Sequence, residues 1–218
     1  SVLITHVGQI LTNSAAELLG QDEVQELLDD LETSQPNLVQ TVVPKIIPLH
    51  QLTKILQNLL KEAVPISDLN VVISELATLN TQKMSNDDIS EAIRPKLIPL
   101  LIQRLTKFKE TLPLLTLAPD LEQLILTSVR QNPEEKMLLL DGSLAKNILS
   151  NVNDASEALS RENKAVFLIV APQIRRHVAN FIRSQLPAVN VLSFTELPEN
   201  RNVEIAYTIG GENESSEQ

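Results

Sequence analysis

Apolar side chains follow a helical spacing through the first hundred residues, with prolines between successive stretches. Over residues 4–19 they recur at i, i+3, i+4 and i+7, which predicts a helix with one apolar face. A second helix, beginning near Asp22, is expected to bury Leu27 and its apolar neighbours. Further helices are predicted to begin at residues that suit a first turn or an N-cap: Pro36, Pro48, Ser67 and Ser85. Six such elements in a row predict a helical subdomain.

Two prolines fall inside the sixth helical pattern. Pro95 and Pro99 each lack the backbone donor that a helix interior uses, and each ring crowds the preceding turn. We therefore expect a kink or a break in this helix.

The pattern changes after about Thr106, where a charged, non-periodic segment ending at Pro113 suits a connection. Short apolar runs then alternate with helical stretches, which predicts a sheet with packed helices. Helices are expected at 119–131, 143–161 and 172–186, and strands at 114–117, 137–140, 166–170, 189–194 and 203–209. The predicted fold class is α+β, with an N-terminal helical subdomain followed by an α/β subdomain that contains a small mixed sheet and a βαβ unit.

The strands differ in their expected surroundings. Residues 166–170 are apolar throughout, which is typical of a strand covered on both faces. Residues 203–209 alternate, with Val203, Ile205, Tyr207 and Ile209 on one side, and this predicts an edge strand with one wet face. The organisation expected along the chain has four parts: residues 1–20, a terminal helix of a preceding subdomain; 21–105, a helical subdomain; 106–210, an α/β subdomain; and 211–218, a disordered acidic tail.

Composition narrows the function classes. Hydrophobic residues make up 43% of the chain, which indicates a folded protein, and aromatic residues are only 2%. Eighteen basic against 28 acidic residues leave a net charge of -10, the wrong sign for binding a phosphate backbone. The absence of cysteine excludes disulfides, thiol catalysis and cysteine metal ligands. No apolar run approaches the roughly 20 residues needed to span a bilayer.

Residues that could carry chemistry do not form a recognisable catalytic set. His6, His50 and His177 are far apart in sequence, whereas a zinc site needs three or four ligands close together. Ser143 and Lys146 have the Ser-x-x-Lys spacing of some acylating enzymes, but the companion motif of those enzymes is missing. Ser143 better suits the start of a helix. We therefore predict no catalytic residue, no cofactor and no metal, and a protein that is not an enzyme.

A pair of arginines follows the apolar strand at 166–170. Helix-start amides together with Arg175 and Arg176 could hold a phosphate or a carboxylate. The connection has no glycine-rich loop, however, and Pro172 removes one amide donor. Two interpretations stay open: arginines that face solvent or pair with neighbouring acids, or a contact for an anion or an acidic protein partner.

Several stretches, in order along nearly the whole chain, resemble the cytosolic domain of the type III secretion export gate protein family of flagella and injectisomes. The stretches in the N-terminal part are Ile4–His6, Ala16–Gly20, Glu23–Asp29, Val43-Pro44, Leu56–Leu60 and Val64–Ile66. Those in the C-terminal part are Glu157–Arg161, Arg183–Pro187, Val191–Ser193, Glu199–Arg201 and Thr208–Gly211. The closing stretches look more like the flagellar branch than the injectisome branch.

The resemblance implies a membrane-embedded N-terminal half, absent from this sequence, and a cytosolic part of four subdomains that assembles into a nine-membered ring. On this mapping, residues 1–20 close the first subdomain, 21–105 form the third and 106–218 form the fourth. The family's ring lies on the cytoplasmic face of the bacterial inner membrane. It recruits chaperone–substrate complexes, while a separate ATPase complex and the proton gradient supply energy.

One contact residue is implied by the resemblance. In flagellar relatives an apolar dimple receives export chaperones, and Thr5 matches one of its threonines. The leading hypothesis is a docking and ring-forming fragment whose partners are chaperone–substrate complexes, components of the ATPase complex and its own copies, with no nucleic acid. This fragment is expected to be a monomer in dilute solution. The alternative is an anion- or small-molecule-binding α/β protein that uses Arg175 and Arg176.

Overall fold

The computed structural model describes residues 15–210, and these form two compact units that divide after Arg104. The helix predicted from residue 4, Thr5 within it, and the predicted disordered tail at 211–218 therefore lie partly or wholly outside the described residues. Within the described part of the chain, no helix is both long enough and apolar enough to cross a lipid bilayer.

The first unit is entirely helical, which confirms the predicted helical character of this half. Residues 15–18 are helical. Five helices and a 3-10 turn follow: α1 Gln21–Ser34, α2 Pro36–Val42, α3 Leu49–Lys61, α4 Leu69–Thr78, the 3-10 turn Thr81–Lys83, and α5 Asn86–Leu105. Helix α3 contributes Leu52, Ile55, Leu56 and Leu59 to the buried interior of this unit.

Helix α1 is less buried than its sequence pattern predicts. Val24 and Leu28 are buried, but Leu27 is 37% exposed, so the expectation that Leu27 belongs to the core is wrong. The helix contacts its neighbours along one narrow stripe. Val24 and Leu28, four residues apart, lie on the same face, whereas Leu27 points away from that stripe.

Pro95 and Pro99 lie within a continuous helix, so the predicted break is wrong. Both rings are on the exposed side of α5, while Ile93 and Leu97 are among eight residues buried on the other side. The carbonyls that lose a helical donor therefore face water, which can bond to them. Burial of each apolar side chain stabilises the fold by about 1.5–3 kcal/mol. The apolar residues buried on this face therefore stabilise the helix by more than the prolines, at about 3 kcal/mol each, destabilise it.

The second unit alternates strands and helices. Its elements are β1 Leu112–Leu117, α6 Pro119–Gln131, α7 Gly142–Arg161, β2 Val166–Val170, α8 Arg175–Arg183, β3 Val189–Ser193, a 3-10 turn Phe194–Glu196, and β4 Val203–Ile209. The strand order is β3-β2-β1-β4, and the pairings are all parallel. The α+β class and the βαβ unit are confirmed. The expectation of a mixed sheet is wrong, because each connection returns the chain to the same end of the sheet before the next strand.

The core of this unit lies where α6, α7 and α8 pack on the sheet. Leu115 of β1, Leu168 of β2 and Val191 of β3 contribute to it from the strands. All five residues of β2 are buried, as expected for a strand covered on both faces. The inner strands of the sheet therefore supply most of its buried apolar side chains.

Residues 137–140 do not form a strand, so that prediction is wrong. The segment between α6 and α7 is bonded by side chains instead of by a neighbouring strand. Ser128 Oγ donates to the carbonyl of Leu139 at 2.8 Å, and Asn180 Nδ2 donates to the carbonyl of Lys136 at 3.2 Å. A short apolar run does not distinguish a strand from a loop that carries one buried side chain, here Leu138.

Strand β4 is an edge strand, as expected, but it is exposed on both faces. Six of its seven residues are exposed and only Ile209 is buried. A bulge shifts its register against β1: Ile205 pairs with Leu114, whereas Tyr207 pairs with Leu115. Because cross-strand partners share a face, Ile205 and Tyr207 lie on opposite faces, and the predicted single apolar side of four residues is wrong.

Replacement of both prolines in α5 by alanine is expected to stabilise the protein. The double variant Pro95→Ala, Pro99→Ala should raise the free energy of unfolding by about 1–3 kcal/mol, because alanine restores two backbone donors. This gain exceeds the stability lost through the greater freedom of the unfolded chain. Urea unfolding measures the change. Pro36→Ala, at the first turn of α2 where no donor is needed, is the control and should change little. An unchanged double variant would contradict the account.

Candidate docking surfaces

The arginines considered as an anion contact occupy different environments. Arg175 is 0% exposed, and its guanidinium donates to the carbonyl of Val191 at 3.0 Å. Arg176, the next residue, is half-buried. Arg175 therefore lies in the interior between α8 and β3, and its described hydrogen bond is to the protein backbone. An anion contact at Arg175 and Arg176 stays a prediction.

The other residues weighed for chemistry serve local structure. His177 is buried, and its Nε2 lies 3.1 Å from the carbonyl oxygen of Glu135. The Asp141 carboxylate caps α7, accepting from the backbone amides of Ser143 and Leu144, and the Ser143 hydroxyl also bonds to it. These bonds hold the pKa of the Asp141 carboxyl below its ordinary value. Among the described residues, no group of three or more histidines and acids could hold a metal ion.

The turn at Lys107–Glu110, called the Phe108 turn below, presents an aromatic ring to water. Phe108 is 87% exposed, the highest value among the large apolar side chains of residues 15–210. Lys109 has a positive φ of 63°, a conformation that costs a side-chain-bearing residue about 1–2 kcal/mol, and its Nζ lies 5.5 Å from the Phe108 ring centroid. A ring so placed contributes little to the core.

The Phe108 turn is held by its own backbone and by Arg201. The amide of Lys107 donates to the Glu110 carboxylate at 3.0 Å, and the amide of Glu110 donates to the Lys107 carbonyl at 3.2 Å. One terminal nitrogen of Arg201 donates to the Thr106 hydroxyl at 2.9 Å and to the carbonyls of Glu110 and Lys107 at 3.1 and 3.2 Å. Four of these hydrogen bonds involve Lys107 or Glu110 and the fifth involves the preceding Thr106, so the turn is pre-organised.

An ion pair completes the attachment of the turn to the unit. The Glu110 carboxylate bonds to the Lys164 ammonium, just before β2. The bond from Lys164, with the bond from the Lys107 amide, holds the pKa of the Glu110 carboxyl below its ordinary value. The same bond from Glu110 raises the pKa of Lys164. A lowered carboxyl pKa and a raised amine pKa are the directions expected when an ion pair stabilises the charged form of each partner.

Exposed apolar side chains continue along β4. Val203 and Ile205 are 46% and 66% exposed on one face, and Tyr207 is 43% exposed on the other. Because Arg201 lies two residues before β4 and bonds to the Phe108 turn, Val203 at the start of β4 lies at the same end of the sheet as Phe108. Several large apolar side chains are exposed here, and a group of exposed apolar side chains is typical of a surface that contacts a partner.

A shallow groove lies on the outer side of α6. Its volume is about 420 Å³, and it is lined by α6, by Asn132 and by Leu139 of the following segment. Leu124 and Leu139 are 47% and 51% exposed in it, and the other lining groups are amides and hydroxyls. Neutral polar and aliphatic groups suit a protein segment better than a phosphate.

The first unit carries an acidic surface with two exposed leucines. Leu18 is 75% exposed and Leu27 is 37% exposed. Residues 15–44 contain no lysine, arginine or histidine and carry seven acids, listed in order: Glu17, Asp22, Glu23, Glu26, Asp29, Asp30 and Glu32. Among the described residues no ion pair is observed for the exposed acids of α1, whose i, i+4 spacing makes them repel one another. We call Leu18, Leu27 and the exposed acids around them the acidic α1 surface.

These surfaces were not predicted from sequence. The segment 106–113 was interpreted only as a connection, although a phenylalanine between two lysines in a polar stretch is a signal for an exposed contact residue. Leu124 and Leu139 belong to ordinary apolar patterns, which do not show which members of a pattern stay exposed. Thr5, the one contact residue inferred from resemblance, lies outside the described residues.

Comparison with known proteins gives the family. Residues 1–202 match the FHIPEP family. The chain belongs to the FHIPEP family. The flagellar biosynthesis protein FlhA of Escherichia coli is 30% identical over 211 residues, which are 97% of this chain and 30% of that protein. FlhA of Bacillus subtilis is 29% identical over 204 residues, 94% of this chain and 30% of that protein. The resemblance to the export gate family inferred from sequence motifs is confirmed.

Two solved structures illustrate the similarity in fold. The nonameric EPEC SctV-C structure has a TM-score of 0.79 at 24% identity and covers 93% of this chain and 61% of that one. The complex of the Chlamydia pneumoniae CdsV and CdsO proteins has a TM-score of 0.78 at 23% identity and covers 95% and 60%. At such identity the likeness shows the fold alone. This FHIPEP chain spans about a third of the length of its curated relatives.

Loss of Arg175 is expected to act on stability rather than on ligand binding. Arg175→Ala should lower the free energy of unfolding by about 2–4 kcal/mol, because it empties a buried site and removes a donor, and Arg176→Ala by less than about 1 kcal/mol. Thermal unfolding with and without phosphate measures both effects. A phosphate-dependent rise in melting temperature that disappears in Arg175→Ala would instead support the anion-site hypothesis.

The ion pair of Glu110 predicts an acid-dependent loss of stability. A carboxyl whose pKa is lower in the folded state stabilises above its unfolded pKa of about 4.3, and this contribution is lost as the pH falls through the folded pKa. Glu110→Gln should therefore lower the urea midpoint at pH 7 and converge with the unchanged protein at about pH 2. Glu134→Gln, an exposed carboxylate on the 132–141 segment, is the control. A difference independent of pH would contradict this account.

Proposed function

We propose that this chain is a docking and ring-forming part of a type III protein export gate on the cytoplasmic face of a bacterial inner membrane. The observation that carries the proposal is membership of the FHIPEP family over residues 1–202, with about 30% identity to FlhA along almost the whole chain. The closing stretches at Glu199–Arg201 and Thr208–Gly211 favour the flagellar branch.

The proposed mechanism is non-catalytic. Rigid units present shallow apolar patches in polar surroundings, namely the Phe108 turn, the α6 groove and the acidic α1 surface. Each patch alone is too small for a tight complex, but many copies in one assembly raise the effective concentration of sites. Two structures of similar fold support this: one is nonameric and the other is a complex with CdsO.

The proposed partners are export chaperone–substrate complexes, components of the export ATPase complex, and further copies of the chain. Thr5 is proposed as a chaperone contact through its match to the dimple of flagellar relatives. No catalytic residue, cofactor or metal is assigned.

Binding of a chaperone–substrate complex tests this function. Titration of the 218-residue chain with a purified flagellar export chaperone–substrate complex should give saturable heat release, and Thr5→Asp should weaken it about tenfold or more by placing a charge in an apolar contact. Thr41→Asp, an exposed threonine on α2, is the matched control and should bind as the unchanged chain does. Absence of binding by the unchanged chain would contradict the chaperone role, and equal loss in both variants would contradict the role of Thr5.

A further inference from the structure

Two surfaces of this chain match each other in charge and in apolar character. The Phe108 turn presents an aromatic ring that is 87% exposed, with the exposed side chains of Lys107 and Lys109 on either side of it. The acidic α1 surface presents Leu18 and Leu27 with exposed carboxylates around them. The Phe108 turn is locally basic although the chain has a net charge of -10. The acidic α1 surface has no basic residue within residues 15–44.

The Phe108 turn has the properties of a binding anchor. Its four hydrogen bonds and the ion pair of Glu110 fix the backbone, so little conformational entropy is lost when the ring is buried by a partner. Aromatic side chains that enter a pocket dominate the energetics of many interfaces. The cation–π contact with Lys109 at an exposed site contributes only about 0.5–1 kcal/mol and does not account for the ring's position.

The acidic α1 surface has the properties of the matching acceptor. Gln57 Nε2 of α3 donates to the carbonyl of Leu19 at 2.8 Å. This hydrogen bond fixes the backbone next to the exposed Leu18. Acids spaced by four residues on α1, such as Glu26 and Asp30, repel each other, and two ammonium groups nearby would relieve that repulsion. Opposite potentials also select the partner and accelerate its approach.

We propose that the Phe108 turn of one copy docks on the acidic α1 surface of a second copy, with Phe108 against an exposed leucine of that surface and the two lysines against its carboxylates. The contact is heterologous, because the two surfaces differ, and repetition of such a contact produces a ring or an open filament. This inference rests on the ring formation proposed above and names the contact that makes it. An acidic surface on the chain itself favours a second copy over a foreign partner.

Fluorescence gives a direct measurement of the docked ring. The chain has no tryptophan, so Phe108→Trp places a single indole at the tip of the turn. The 218-residue chain should be a monomer at about 1 μM, and its emission should move to shorter wavelength as the concentration rises to about 1 mM, the range in which weak contacts become populated. Salt at about 1 M should reverse the shift, since the Debye length falls to about 3 Å. No shift across this range overturns the proposal.

Charge reversal on each side separates this contact from any other self-association. Lys107→Glu with Lys109→Glu should weaken association about tenfold or more, and so should Glu26→Lys with Asp30→Lys. An equimolar mixture of the two double variants should associate again, because each turn then meets an acceptor of opposite sign. Lys83→Glu with Lys146→Glu, two exposed lysines elsewhere, changes the net charge equally and should leave association unchanged.

The outcomes distinguish this contact from the proposed function. If sedimentation velocity shows association that the reversed variants retain, or if their mixture does not recover it, the contact is wrong while ring formation stands. If Phe108→Trp shifts its emission with vesicles of equal parts phosphatidylcholine and phosphatidylglycerol but not with concentration, the turn belongs to a membrane surface and the proposal is overturned. Chaperone binding by the unchanged chain is measured independently of all these results.

Discussion

Parallel pairing between β1 and β4 is the constraint on which the exposed end of the second unit depends. In a parallel pair both strands begin at the same end of the sheet, so the residues before β1 and those before β4 become neighbours. Leu112 pairs with Val203, and this register brings Arg201 beside the turn that precedes β1. An antiparallel β4 would have placed Arg201 at the opposite end, and the Phe108 turn would have lost its two hydrogen bonds to Arg201.

The polar side chains that invite a chemical interpretation are instead used to build the fold. Arg175 reaches Val191 from the first turn of α8, and His177 bonds to the loop that follows α6. Arg94, 2% exposed, pairs with Glu62 at 3.3 Å within the first unit. Buried polar groups are costly unless they are paired, so such bonds are a condition of burial. The side chains left for partners are mostly apolar, and they lie in shallow, open places.

This distribution fits the docking function proposed above. A catalytic site needs groups that converge in a pocket shielded from water, whereas the volume described beside α6 is open and lined by neutral groups. Small exposed patches give weak individual contacts, and an assembly of many copies converts weak contacts into useful affinity. The fold of this FHIPEP chain is kept in proteins only 23–24% identical to it, which fits a core defined by apolar pattern and not by particular residues.

The sequence by itself determined the class of the protein. Helical spacing predicted the all-helical first unit, the continuous apolar run predicted β2, and the ordered motifs identified the family, because each of these signals is local or is read along the chain. Tertiary structure alone decided the rest. Whether Pro95 and Pro99 break a helix depends on which side of α5 faces water. Whether Tyr207 shares a face with Ile205 depends on a bulge against β1. Whether Arg175 and Phe108 are buried or exposed depends on strands that are distant in sequence, and no periodic pattern contains that information.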